Sequence, residues 1–68
     1  MTAKELIEKL DLNTKANLWE IIIDRNCYAG DETYGINTEV KSWCLEYRLV
    51  GYFFRVTLRI YTVDYKDE

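Results

Sequence analysis

Two alternating segments on either side of a single glycine, SWCLEYRLV and YFFRVTLRIY around Gly51, constrain this chain more than any other feature. In the second segment Tyr52, Phe54, Val56, Leu58 and Ile60 fall on one side of an extended backbone. Phe53, Arg55, Thr57, Arg59 and Tyr61 fall on the other. This is the two-residue period of a strand with two dissimilar faces. Glycine accepts the positive φ that a β-branched valine resists, so the sequence predicts a hairpin turning at Val50-Gly51. That register sets Leu49 against Tyr52, Tyr47 against Phe54, Leu45 against Val56 and Trp43 against Leu58. On the opposite face Arg48 meets Phe53, Glu46 meets Arg55, Cys44 meets Thr57 and Ser42 meets Arg59. Four apolar pairs and one pair of opposite charge are the kind of contact that holds strands together, and a slip of one residue would exchange the two faces. The competing pattern is a helix over 38–48, with Val40, Trp43, Cys44 and Tyr47 on one stripe and Thr38 as its cap. It leaves the turn unexplained.

The N-terminus carries the helix signal. Thr2 and Glu5 have the spacing of a capping box, in which the hydroxyl accepts from a first-turn amide and the carboxylate accepts from the cap residue's amide. Ala3, Leu6, Ile7 and Leu10 follow at helical spacing, and Glu5 and Lys9 form an i, i+4 pair. A helix of about eight residues does not persist alone in water, so it must dock on something. After a polar connector around Asp11 to Ala16, LWEIIIDRNC brings three consecutive isoleucines, which favour a strand. Trp19, Ile21 and Ile23 then share one face, opposite Glu20, Ile22 and Asp24; a helical stripe of Leu18, Ile21, Ile22 and Arg25 is the alternative. In YAGDETYGINTE, residues 28–39, Gly30-Asp31 suits a two-residue hairpin turn that would add a short strand over Thr33 to Ile36. Otherwise the stretch is an acidic loop. The sum is a single small α+β domain over residues 1–68. A short N-terminal helix packs on one face of a three- or four-stranded antiparallel sheet, an α-β-β-β meander, and residues 64–68 form a frayed tail.

With 68 residues, such a domain buries only about 60% of the surface of its unfolded chain. Two Trp, two Phe and six Tyr are expected to supply the core from few residues, because an aromatic side chain can bury a large area. A formal charge of −3 gives no general attraction to nucleic acid or anionic membrane. The N-terminus lacks the basic start and apolar run of a signal peptide, and no stretch is long and apolar enough to span a bilayer. The expected location is the cytoplasm. Cys27 and Cys44 are isolated thiols, read as reduced and partly buried.

Chemistry is sparse. The chain has no histidine, which removes the commonest general base and metal ligand. Its glycines at 30, 35 and 51 match no phosphate-binding loop. Asp31 and Glu32 are the only adjacent acids outside the helix and the tail, with no cleft expected around them. No catalytic residue, metal site or cofactor is therefore expected, and the chain reads as non-enzymatic. Surfaces remain. With the helix on the Trp43, Leu45, Tyr47, Phe54, Val56 and Leu58 side, the opposite face presents Arg48, Phe53, Arg55, Arg59 and Tyr61. These are the candidate partner-binding residues. The first expectation is a small interaction module that binds another protein, or its own copy, through that face. Its size, acidity and lack of metal chemistry associate it with accessory proteins of phages and mobile elements. Stacking on single-stranded nucleic acid is the second expectation, and assembly through a sheet edge is the third.

Overall fold

A computed structural model of the protein describes residues 1–66. The elements in order are α1 (Ala3–Glu8), α2 (Leu12–Asn17), β1 (Leu18–Ile23), β2 (Asn26–Cys27), β3 (Val40–Val50) and β4 (Phe53–Thr62). Four strands make one sheet in the order β2-β1-β4-β3. β3 and β4 form an antiparallel hairpin and β1 and β2 a small antiparallel pair, but β1 runs parallel to β4. The α+β architecture and the N-terminal helix are as expected; the antiparallel meander is corrected to a mixed sheet. β4 takes an interior position beside β1, and it carries Val56, Leu58 and Ile60, apolar side chains suited to the middle of the sheet. β3, with Lys41, Glu46 and Arg48, takes the edge, where charged side chains are tolerated.

The hairpin register also differs. Val50 pairs with Phe53, so the turn residues are Gly51 and Tyr52 instead of Val50 and Gly51. Gly51 has φ +62°, and Tyr52 is not among the residues of positive φ. That is the type II′ pattern, with glycine in the first central position, and its twist matches that of the flanking strands. Each residue of β3 therefore meets a partner two positions further along β4 than expected. An even shift preserves both faces, so Trp43, Leu45, Tyr47 and Leu49 still share a side with Phe54, Val56, Leu58 and Ile60.

The capping box forms as read: Thr2 Oγ1 accepts from the Glu5 amide at 3.2 Å and Glu5 Oε1 accepts from the Thr2 amide at 3.0 Å. α2 replaces the expected connector, starting where Asp11 Oδ1 accepts from the Thr14 amide at 2.7 Å. These bonds hold the Glu5 carboxyl below its ordinary 4.5, through the Thr2 amide and then its hydroxyl. Bonds from Thr14 hold Asp11 below 3.8. A carboxylate depressed in the folded state stabilises it fully above the ordinary value and loses that effect as pH falls through the folded value. Far-UV ellipticity of both helices is expected to weaken only below about pH 4.5, with Glu5→Gln and Asp11→Asn removing that acid component.

The 28–39 stretch adds no strand. Of the two alternatives the loop is found: Thr33 to Ile36 is a series of turns, and the short second strand lies earlier, where Asp24 at φ +56° reverses the chain from β1 into β2. Thr33 is buried; its hydroxyl donates to the Gly30 carbonyl and accepts from the Ala29 amide, both at 2.7 Å. The stretch packs under α1, whose Ala3 and Lys4 amides donate to Thr38 and Ile36 carbonyls at 3.1 and 2.8 Å. Ile36 thereby joins Ala3, Leu6, Ile7, Ile23, Leu58 and Ile60 in the core. At Gly35, φ +87°, an added Cβ would lie 3.2 Å from Ile23 Cγ2. Gly35→Ala is expected to cost about 1–3 kcal/mol, from strain and crowding together, measured by urea denaturation.

Of the expected 64–68 tail, residues 64–66 are described. Tyr65 packs on Tyr61 with ring centroids 4.9 Å apart, and Arg25 lies 5.8 Å over the Tyr65 ring. Asp67 and Glu68 lie outside the described residues.

Candidate interaction surface

Six helical residues span about 9 Å at 1.5 Å each, while the 11 residues of β3 extend for roughly 36 Å. α1 therefore covers one end of the sheet and cannot reach the other. Leu58 and Ile60, in its shadow, are fully buried. Further along the same face, towards the turn, the side chains emerge: Tyr47 is 68% exposed, Leu49 62% and Phe54 71%, while Trp43, on the edge strand opposite Ile60, is 52% exposed. The expectation that the helix covers Trp43, Leu45, Tyr47 and Phe54 is thus corrected. A capped, short helix was readable from Thr2 and Glu5, but the mismatch between its length and that of the hairpin was the missed signal. α2, which buries none of its own residues, leaves a cavity of about 270 Å³ bounded by Thr14, Asn17, Leu45, Tyr47 and Val56.

The opposite face holds all five candidate residues, but not as one cluster. Phe53 lies 77% exposed beside the turn, paired with Val50. Tyr61 lies at the other end, opposite Ser42 and against Tyr65. Between them Arg48, Arg55 and Arg59 line a shallow cleft of about 390 Å³ with Trp19, Glu20 and Glu46. Trp19 was expected on the core face with Ile21 and Ile23. The β1–β4 register shifts between Leu18 and Glu20, an irregularity that turns Trp19 to the other side. There the Arg55 guanidinium stacks 4.0 Å from its ring, a cation–π contact.

Ion pairing is also redistributed. Glu46 sits opposite Thr57 and pairs with Arg59, Oε1 to Nε 2.6 Å, instead of with Arg55. The separation is that of a hydrogen bond, yet this Nε is buried without an aligned acceptor, so the contact is ionic in character. The adjacent carboxylate raises the Arg59 pKa, although partial desolvation opposes it. The arginine thus stays charged at every accessible pH. Arg48 directly faces Arg55 across the hairpin and has no acidic partner among the described residues. Like charges placed directly opposite are unfavourable, and the Arg55 guanidinium lies over Trp19 on the other side of β4.

Both thiols, expected to be partly buried, are exposed, and among the described residues no cluster of three or more His, Cys, Asp or Glu could hold a metal. Among the same residues no helix is long and apolar enough to cross a membrane. The cleft's charged lining differs from the mostly apolar walls of small-molecule pockets. Fold and surface together define a small α+β domain with a half-covered sheet. Compared with protein-family models, with curated proteins and with solved structures, the chain matches none.

Proposed function

We propose that the protein is a non-enzymatic cytoplasmic interaction module that binds another protein through the uncovered half of its β3–β4 hairpin. The observation that carries this reading is the contiguous exposure of Tyr47, Leu49 and Phe54 on one sheet face, with Trp43 half exposed on β3. Large exposed apolar patches on small soluble domains mark interaction sites, and Trp and Tyr are the residues most enriched at binding hot spots. Small size, net acidity and the absence of histidine fit an accessory role of the kind phages and mobile elements encode. A photo-crosslinking amino acid placed at Phe54, and separately at Glu8 on the covered end, tests the reading in living cells. A discrete adduct from position 54 and none from position 8 is expected. No adduct, or the same adducts from both positions, contradicts it.

A second reading rests on the Trp19–Arg55 stack beside Arg48 and Arg59, an arrangement that suits stacking and phosphate contact with single-stranded nucleic acid. The net charge of −3 opposes it. Titration of a labelled oligonucleotide at low salt decides this reading: binding that weakens steeply with salt supports it, and no binding ends it.

A further inference from the structure

The sheet has two edges of very unequal character. β2 offers two residues, whereas β3 offers 11, and its nine internal residues are all exposed. A two-residue turn makes Val50 and Phe53 a hydrogen-bonded pair, and such pairs alternate along an antiparallel ladder. Leu49, Tyr47, Leu45 and Trp43 therefore direct their N–H and C=O groups away from β4, towards open solvent. Natural edges are usually blunted by prolines, inward charges or covering segments. Between Trp43 and Leu49 this strand has none of the first, and its two charges, Glu46 and Arg48, are of opposite sign and on one face.

We infer that β3 pairs antiparallel with β3 of a second copy of this chain, about a two-fold axis at Tyr47. Side-chain charge selects this register. With Tyr47 on the axis, each Glu46 stands opposite the other copy's Arg48, and Leu45 stands opposite Leu49. Centring the axis on Glu46 sets two carboxylates against each other at the closest cross-strand spacing. Centring it on Leu45 leaves both charges without a charged partner directly opposite. The Tyr47-centred register also supplies the anion that Arg48 lacks beside Arg55. Glu46, half exposed, can accept from a second guanidinium while keeping Arg59.

The arrangement closes at two copies. Isologous pairing consumes the one long edge, and the remaining edges are the two-residue β2 strands, too short to propagate a filament. The sheet doubles to eight strands, and the exposed Tyr47, Leu49 and Phe54 of both copies become one continuous apolar floor. This inference rests on the reading of the hairpin as an interaction surface and specifies one occupant of its edge.

Light scattering on the eluting protein at micromolar concentration is expected to give twice the chain mass. Arg48→Glu sets Glu against Glu46 of the other copy at both symmetric pairs and relieves Arg48–Arg55 repulsion within a copy. It is expected to weaken the dimer roughly tenfold while raising the melting temperature of the separated chain. Glu46→Arg combined with Arg48→Glu restores the opposite-charge pairs and is expected to recover most of that affinity. In a chain with Cys27 and Cys44 changed to Ser, Tyr47→Cys is expected to oxidise to a covalent dimer, since residues paired across strands lie within disulfide reach. Ser42→Cys, five positions from the axis, is expected not to. A monomer at high micromolar concentration, or equal crosslinking at 42 and 47, overturns the inference. The Phe54 adduct with a different protein would still stand if the dimer fails, so the two readings fail separately.

Discussion

Leu58→Ala is expected to cost about 3 kcal/mol, within the 2–5 kcal/mol range for a buried leucine. Phe54→Ala, on the same strand and the same face, is expected to cost no more than about 0.5 kcal/mol. Leu58 sits on the interior strand under α1 with no solvent exposure, in contact with the cluster of Ile23, Ile60, Leu6 and Ile7. Truncation there opens a cavity that a core of seven buried apolar residues has little material to refill. A domain of this length is held by roughly 3–10 kcal/mol in all, so the variant loses a large part of its stability. Its melting temperature is expected to fall by roughly 12–24 °C. Phe54 is 71% exposed and leaves no cavity. Equal losses at the two positions would mean that the helix covers the whole face.

Asp24→Ala is the second large effect. The Asp24 carboxylate accepts from the Thr62 amide at 2.8 Å and from the Thr62 hydroxyl at 2.6 Å, and Thr62 is fully buried. The Asp24 amide in turn donates to the Ile60 carbonyl at 2.8 Å. This one residue ties the end of β1 to the end of β4, and it does so at φ +56°, where aspartate is tolerated better than alanine. Removing the side chain leaves a buried N–H and a buried O–H without their acceptor. The expected loss is about 2–4 kcal/mol by urea denaturation, against a smaller loss for Asp24→Asn, which keeps one acceptor and the backbone conformation. Equal losses for both variants would indicate that charge, not hydrogen bonding, is what the site requires.

The parts of this fold that were legible in the sequence are those set by local pattern. Thr2 and Glu5 announced a capped helix, and alternation from Trp43 to Tyr61 announced two strands and the composition of each face. Gly51 marked the turn but not its phase: glycine serves as either central residue in different turn types, and the even register shift left every face intact. The strand order was not legible, because β1 and β4 meet only through pairs 37 or 38 residues apart, such as Thr57 with Glu20. α2 escaped notice since it has no apolar stripe, its Leu12 being 84% exposed. For the surface, alternation correctly assigned Arg48, Phe53, Arg55, Arg59 and Tyr61 to one side. It could not show that Trp19 joins them, since an irregularity in the β1–β4 pairing reverses its direction. Nor could it show that the more extensive apolar surface lies on the helix side, beyond the helix's reach.

The central claim is that the distal β3–β4 hairpin is where this chain meets another protein chain, and amide hydrogen exchange across β3 tests it most directly. The measurement compares the dilute protein with the protein at high concentration or bound to whatever partner the Phe54 adduct identifies. The amides of Leu45, Tyr47 and Leu49 are expected to exchange rapidly in the dilute protein and to become protected on association. Those of Glu46 and Arg48, already bonded to β4, should change little. Exchange at Leu45, Tyr47 and Leu49 that stays the same at every concentration and with every partner would contradict the claim.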